Sequence, residues 1–224
     1  MSATSRSGGP RTPRPDDPRV LRTRAAAVAA ARTLFLEKGY AGTTMVEIAA
    51  AAGLTKRTLY NNYADKETLF TGIVADVGAY ADAFARGIRD ELGADLSAAS
   101  LRPTLDDLGR RLALGIVRAE VVAIRRLLIG EARTFPALAR GYFERAPGQV
   151  IAALAAGFRR LDRAGLLRVP DARRAAGQFA YLVAGELLDR AVLTGVIPAE
   201  REIGAGAREG VETFVARYGG RRGR

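Results

Sequence analysis

Residues 43–70 read TTMVEIAAAAGLTKRTLYNNYADKETLF, and this stretch decides the fold. Thr44 is an N-cap candidate and Glu47 stands three residues later, which is the pattern of a capping box at the start of a helix. An apolar run follows and ends at Gly53, which can take the left-handed conformation that terminates a helix. The stretch therefore predicts a short helix, a tight turn and the beginning of another helix.

The second short helix is predicted over residues 56–62, with Thr55 as its N-cap. Leu59 and Tyr63 are four residues apart, so they share an inner face with Leu54 of the turn. The outer face then carries two basic side chains, a phenol and an amide, which belong to Lys56, Arg57, Tyr60 and Asn61. Such groups hydrogen-bond to base edges and phosphates in the major groove of DNA. The order of these elements is that of a helix-turn-helix.

The same stretch resembles the DNA-binding domain of the TetR family of transcriptional regulators, over about residues 22–73. The matching positions are Gly39-Tyr40, Thr43-Thr44, Ile48-Ala49, Ala52-Gly53, Thr55, Thr58-Leu59-Tyr60, Tyr63, Lys66-Glu67 and Leu69-Phe70. The resemblance implies that Lys66, and either Thr43 or Thr44, hold phosphates of the DNA. The full set of expected DNA contacts is Thr43, Thr44, Thr55, Lys56, Arg57, Thr58, Tyr60, Asn61 and Lys66.

The composition excludes several classes of protein. Lys and Arg number 35 against 24 Asp and Glu, and the net charge of +11 favours a polyanionic partner without specifying one. The absence of Cys and His removes disulfides, zinc sites built on these residues and every triad that needs them. We therefore expect no catalytic residue, no metal and no cofactor.

No apolar run approaches the ~18 residues that a membrane-spanning helix needs. The first nineteen residues lack the apolar segment of a secretory signal. We therefore expect a cytosolic protein.

Helical periodicity recurs along the chain and no segment alternates with a period of two, so we predict an all-α fold of about nine helices. Helix 1 is predicted to begin at Asp17, and a long helix 4 is predicted to follow Asp65 and to link two domains. Residues 93–103 are interpreted as a loop, with Thr104 as the N-cap of helix 5. Pro147 is predicted to kink or break helix 7.

Composition and periodicity divide the chain into four segments. The N-terminal segment is rich in Ser, Gly, Pro and Arg and is predicted to be disordered. It is either a solubilising tail or a basic arm that enters a minor groove. The segments are residues 1–16 (N-terminal arm), 17–66 (helix-turn-helix domain), 67–218 (ligand-binding and dimerisation domain) and 219–224 (flexible tail).

A second resemblance, to the TetR subgroup with an AefR-like C-terminal domain, covers about residues 125–195 and is carried by RRLLIGEARTFPALARGYFERAP (125–147). It implies a cavity for a small-molecule inducer. The expected lining is Phe84, Leu112, Ile116, Leu128, Glu131, Phe135, Phe143, Phe158 and Phe179. Glu131 shares a helix face with apolar residues, so it is either paired with an Arg or a polar anchor for ligand. We expect a hydrophobic effector, and Glu131 would suit a cationic one.

Helices 8 and 9 each carry an apolar stripe with many small residues, which allows helices to approach closely. Two such helices from each chain can form a four-helix homodimer interface. The residues expected in that interface are Ala176, Phe179, Ala180, Val183, Leu187, Val211 and Phe214.

The function predicted from these features is a DNA-binding transcriptional repressor. It binds a palindromic operator as a homodimer and is released by a small-molecule effector. One alternative is an architectural DNA-binding protein without an effector, which would show no sequence preference. Another is a helical enzyme that processes small molecules, which the absence of His and Cys disfavours.

Overall fold

The computed structural model describes residues 17–220, and over this range the chain is all-α, which confirms the predicted fold class. Nine helices follow one another: α1 (Pro18–Lys38), α2 (Met45–Ala51), α3 (Lys56–Asn62), α4 (Lys66–Gly93), α5 (Ala98–Ile116), α6 (Ala119–Glu131), α7 (Pro136–Phe143, a π-helical turn at Glu144–Gly148, and Gln149–Arg163), α8 (Ala172–Thr194) and α9 (Glu200–Tyr218). None of these nine is long and apolar enough to cross a membrane.

The helices form two compact units, one ending at Gly72 and one beginning at Ile73. The division falls inside α4, six residues beyond the predicted boundary between residues 66 and 67. The predicted N-terminal arm, residues 1–16, lies outside the described residues, as do residues 221–224 of the predicted tail.

The first unit packs α1, α2, α3 and the start of α4 around an aromatic cluster. The Phe35 and Phe70 rings meet edge to face at 5.8 Å between centres, and the Tyr40 ring lies 5.4 Å from Phe35 and 5.3 Å from Phe70. Ile48 of α2 and Leu59 of α3 are fully buried. Because both short helices are anchored by these apolar residues, their opposite faces remain in solvent.

The second unit has its core where α5, α7, α8 and α9 meet. Phe158, Phe179 and Phe214 are fully buried there, and the centre of the Phe214 ring lies 4.9 Å from Phe158 and 5.0 Å from Phe179. Helices α8 and α9 approach so closely that a Cβ on Gly210 would lie 2.6 Å from the Leu182 carbonyl carbon. The close approach of α9 to α8 therefore depends on a residue without a side chain.

Helix α5 begins earlier than the sequence predicts. Ser97 is its N-cap, and Ser97 and Ser100 form a reciprocal capping box, with N–H to hydroxyl distances of 3.2 and 2.9 Å. Pro103 lies inside the helix, near its start, with its ring exposed. Pro103 has no N–H, so the helix lacks one backbone hydrogen bond there. The predicted loop is therefore confined to residues 94–97, and the predicted Thr104 cap is wrong.

Pro147, predicted to kink or break helix 7, lies in a π-helical turn. The helix continues on both sides of this turn, so its two parts remain one run. A π turn accommodates the missing N–H of proline by widening the local hydrogen-bond pattern, and such turns occur often at functional sites. Here the turn places Ala146 and Pro147 in the wall of the cavity described below.

Gly219 and Gly220, expected in a flexible tail, are paired with the segment that follows α7. The Gly220 N–H donates to the Leu166 carbonyl at 3.0 Å, and Leu167 forms an isolated antiparallel bridge with Gly219. The tail prediction is therefore wrong for these two residues.

The residues predicted to form the dimer interface lie inside one subunit. Their side chains are all buried, and the set comprises Ala176, Phe179, Ala180, Val183, Leu187, Val211 and Phe214. Val183, for example, lies 3.3 Å from the position that a Cβ on Gly109 of α5 would take. The stripe stabilises the bundle itself, and its residues are not available to a partner subunit.

Candidate nucleic-acid interface and apolar cavity

The outer face of α3 presents four polar side chains to solvent. Lys56, Arg57 and Asn61 are exposed, and Tyr60 is 43% exposed. The Lys56 ammonium lies 5.9 Å from the centre of the Tyr60 ring. Leu59 is fully buried on the opposite face and anchors the helix. The structure thus brings together, on one short helix, the four side chains that the sequence singles out as base-reading candidates.

The turn before α3 sets the orientation of that face. Gly53 has a φ of 65°, and the Leu54 N–H donates to the Ala49 carbonyl at 2.9 Å. The Thr55 hydroxyl accepts from the Thr58 N–H at 3.0 Å, and the two threonine hydroxyls are 2.8 Å apart. Thr55 and Thr58, both expected to contact DNA, are therefore also parts of the helix cap. Their contact with DNA stays a prediction.

Helix α2 begins with the capping box that the sequence predicts. The Glu47 N–H donates to the Thr44 hydroxyl at 3.2 Å, and the Glu47 carboxylate accepts from the Thr44 N–H at 2.8 Å. Lys38 also donates to this carboxylate, at 2.7 Å. The hydrogen bonds from Lys38 and Thr44 lower the pKa of Glu47 to about 2. Thr44 itself is exposed, and its hydroxyl donates to the Glu47 carboxylate at 2.8 Å, so the hydroxyl would have to rotate to donate to a phosphate.

Thr43 has a different role from its neighbour. Its side chain is buried, and its hydroxyl lies 2.9 Å from the Gly39 carbonyl oxygen and 3.2 Å from that of Leu34. A phosphate cannot reach a hydroxyl enclosed in this way. Thr43 therefore ties the end of α1 to the start of α2, and Thr44 remains the candidate phosphate ligand.

Lys66, the other expected phosphate ligand, is half-buried at the start of α4. Its ammonium donates to the carbonyl oxygens of Tyr40 and Thr43, at 2.7 Å each, and lies 4.3 Å from the centre of the Tyr40 ring. A lysine ammonium has three N–H donors, so one remains for a phosphate. Lys66 thus holds the loop between α1 and α2 against α4, whether or not it also contacts DNA.

The second unit contains a cavity of about 190 Å³ between α4, α5, α6, α7 and α8. Its wall is mainly aliphatic and aromatic. Four of the predicted pocket residues line it, namely Phe84, Leu112, Ile116 and Phe143. The residues expected from the sequence thus include only part of the wall.

Five predicted pocket residues lie outside that wall, namely Leu128, Glu131, Phe135, Phe158 and Phe179. Phe158 and Phe179 fill the core against Phe214, so no space remains beside them. Leu128 is buried. Glu131 and Phe135 are half-buried where α6 ends and α7 begins, and the Phe135 N–H donates to the Glu131 carbonyl at 2.8 Å. Helical periodicity identifies an inward face but not which neighbour that face meets.

The charged residue of the wall is Arg125, which is not among the residues expected from the sequence. Its Nε atom is buried without a hydrogen-bond partner among the described residues. Its guanidinium carbon lies 5.9 Å from the centre of the Tyr142 ring, which also lines the cavity. Burial raises the pKa of the Tyr142 phenol, and the charge of Arg125 together with its side-chain hydrogen bond to Tyr142 opposes part of that rise. The signal in the sequence is an Arg four residues after Val121, on an otherwise apolar helix face.

Two family models match the chain. Residues 27–73 match the model of bacterial regulatory proteins of the tetR family, and residues 103–220 match the model of the AefR-like transcriptional repressor C-terminal domain. The two matched ranges correspond to the helix-turn-helix and to most of the second unit. No curated protein sequence matches the chain.

Several solved structures are similar over nearly the whole chain. A TetR-family transcriptional regulator from Mesorhizobium loti is 30% identical, with a TM-score of 0.76, and the match covers 89% of this chain and 98% of that one. The flavonoid-responsive regulator FrrA is 32% identical, with a TM-score of 0.63 and the same two coverages. A TetR transcriptional regulator from Agrobacterium tumefaciens is 26% identical, with a TM-score of 0.64, and the match covers 90% of this chain and 96% of that one.

Proposed function

The chain belongs to the TetR family of bacterial regulatory proteins, and we propose that it is a repressor that leaves a palindromic operator when a small molecule occupies the cavity of its second unit. Members of this family are DNA-binding transcription regulators, not enzymes, and they generally act as homodimers with small-molecule effectors. The observation that carries the proposal is that one chain combines an exposed polar face on α3 with a separate apolar cavity.

The chemistry of α3 supports base reading by that face. Lys56 and Arg57 can donate to guanine O6 and N7, and Asn61 can form paired hydrogen bonds with adenine. Tyr60 and the exposed Thr44 suit phosphate or thymine-methyl contacts. In this proposal the basic residues of α3 select the sequence, while Thr44 and the remaining N–H of Lys66 hold the DNA backbone.

Replacing Arg57 by Ala should weaken operator binding by about 1–3 kcal/mol and relax the preference at one base position. The operator is first selected from a random duplex library with the unaltered protein, and both proteins are then titrated against single-base variants. Arg24→Ala removes the same charge from the exposed surface of α1 in the same unit, and it should leave the base preference unchanged. Unaltered affinity and preference in Arg57→Ala would refute the assignment, and a protein that selects no operator at all would favour the architectural alternative.

The cavity supports an apolar effector of modest size. A cavity of about 190 Å³ exceeds the ~150 Å³ of an engineered apolar cavity that binds benzene, so it can hold at least a substituted aromatic ring. The similarity to FrrA, a flavonoid-responsive regulator, supports an aromatic effector for this chain as well.

Helix α4 offers a physical link between effector and operator. Its first residue, Lys66, is bonded to the loop before α2, and four of its later residues, Val77, Tyr80, Ala81 and Phe84, line the cavity. Two recognition helices fit one face of DNA only when they lie about 34–36 Å apart, or a multiple of that distance. In this proposal an effector displaces α4 and with it the spacing between the two recognition helices.

The test of this mechanism is a pair of calorimetric titrations, of a flavone into the free protein and into its complex with the selected operator. Thermodynamic linkage requires that DNA lower the affinity of the protein for the effector by the same factor by which the effector lowers its affinity for DNA. We expect about a 100-fold difference, or about 2.7 kcal/mol per site, which lies within the usual range of coupling energies. Equal affinities in the two titrations would mean that occupation of the cavity does not release the operator.

The dimer interface is proposed to be the outer face of α8 and the loop that follows it. This outer face comprises large apolar residues that are exposed in the single subunit, namely Tyr181, Leu182, Leu193, Val196 and Ile197. A second subunit on this face would remove these large apolar side chains from water, which favours association. A second copy is the proposed partner because regulators of this family generally form homodimers.

A further inference from the structure

We propose that the effector is an amphipathic weak acid, with an aromatic or aliphatic body in the apolar cavity and one carboxylate or phenolate bound by Arg125. This inference rests on the proposed function, because it names the chemical class of the molecule that occupies the cavity. It replaces the cationic effector that Glu131 suggested, since Glu131 lies outside the cavity wall and Arg125 lies in it.

Arg125 differs from the two other arginines that lie close to aromatic residues of the cavity wall. Arg111, near Phe84, is paired with Glu91 and with Asp107 at 2.6 Å. Arg118 lies 4.7 Å from the centre of the Tyr80 ring and pairs with Glu120 at 3.5 Å. Within residues 17–220 Arg125 has no carboxylate within 4.0 Å.

The cost of this arrangement points to a ligand. A buried guanidinium atom without an acceptor loses its hydration and gains nothing in return. The Nε atom of Arg125 is such an atom. A bound carboxylate would supply both the missing countercharge and hydrogen-bond acceptors, and the planar guanidinium suits paired hydrogen bonds to it.

Among the described residues, the rest of the wall offers no acidic side chain that would favour a cationic ligand. Arg125 is the charged residue among the lining side chains of the described chain, and no Asp or Glu lies among them. A cationic ligand would therefore meet a positive charge that no carboxylate of the described wall offsets. A neutral apolar ligand would fill the cavity but would leave the Nε atom of Arg125 without an acceptor and the guanidinium without a countercharge. An amphipathic anion would fill the apolar part of the cavity and would also pair with Arg125.

Tyr142 adds a second donor beside Arg125. Its side chain is buried, and burial raises the pKa of its phenol, so the phenol is protonated at neutral pH. A protonated phenol can donate a hydrogen bond to the same oxyanion. The pair therefore resembles a binding site for an oxyanion at one end of an apolar cavity.

The experiment compares two ligands of nearly equal shape, 2-naphthoate and its neutral isostere 2-naphthamide, by calorimetry on the full chain. The unaltered protein should bind naphthoate at least about tenfold more tightly, as expected for a charge-assisted hydrogen bond away from water. Arg125→Met should remove this preference, and Arg125→Lys should keep part of it. Arg133→Gln removes a positive charge from an exposed position just after α6, and it should leave the preference unchanged.

Three results would overturn the inference, and each has a different consequence for the effector role of the cavity. Equal binding of acid and amide by the unaltered protein would reject the weak acid while leaving the cavity as an effector site. A preference for acid that survives in Arg125→Met would place the anion on the basic surface, and 0.5 M salt would then abolish it by screening. Failure of both compounds to bind would reject the inference, and the flavone titration would then decide separately whether the cavity is an effector site. Circular dichroism of each variant checks that it is folded.

Discussion

Replacing Gly210 by alanine should destabilise the second unit by about 1–3 kcal/mol, the usual cost of overpacking. A Cβ at this position would lie 2.6 Å from the Leu182 carbonyl carbon and 2.8 Å from the Val183 nitrogen, and it would also clash with the Leu182 carbonyl oxygen. All three atoms belong to the backbone, so no side chain can rotate away. Helix α9 would have to separate from α8, and the buried Phe214 would lose contact with Phe179.

Close packing and helix propensity predict opposite changes in stability for Gly210→Ala. On helix propensity alone, alanine should stabilise a helix relative to glycine by ~1 kcal/mol. Gly87 provides the matched control, because it lies inside α4, six residues before its end, and a Cβ added there would have no atom within 4 Å. Gly87→Ala should therefore stabilise the protein by ~0.5–1 kcal/mol. Urea unfolding followed by circular dichroism measures both, and stabilisation by Gly210→Ala would show that α8 and α9 are not closely packed.

Local sequence rules predict the first unit well, because its structure is set by residues close together in the chain. Thr44 and Glu47 form the predicted capping box, and Gly53 has the predicted left-handed conformation. Thr55 caps α3 as predicted. Each of these interactions spans three or four residues, so the residue types alone determine them.

The same rules fail at the start of α5, where two signals compete. Proline disfavours helix interiors, so Pro103 indicates a loop that ends before the helix. The capping box between Ser97 and Ser100 prevails, since burial of Leu101 holds this first turn against the bundle. The outcome depends on a tertiary contact that the local pattern does not contain.

Helix periodicity also cannot distinguish the neighbours of a buried face. The stripe that includes Val183 and Leu187 is predicted to meet a second subunit, yet it packs inside one chain. In the same way Phe158 and Phe179 are predicted to line the cavity but fill the core. Arg125 escapes prediction because a single charged residue in a helix is usually a solvated side chain. Distinguishing core, cavity and interface requires knowing which helices are adjacent.

Replacing Leu193 by Glu should dissociate the homodimer and lower operator affinity by about 10²–10⁴-fold, the range over which linked binding sites reinforce each other. Leu193 is 76% exposed in the single subunit, so the substitution leaves the monomer folded. A second subunit on the outer face of α8 would have to remove the new carboxylate from water, which is unfavourable. Each monomer would then hold only one half-site of the operator.

Val183→Glu is the informative contrast, because Val183 is only 1% exposed and lies in the core of the bundle. It should abolish the folded protein, whereas Leu193→Glu should retain the unaltered circular dichroism spectrum. Ala83→Glu adds the same charge to an exposed position on α4 and should remain dimeric. Sedimentation at micromolar concentration measures the association state, and operator titration measures the affinity. A Leu193→Glu protein that sediments as a dimer would exclude the outer face of α8 as the interface and would require the two recognition helices to be paired through another surface.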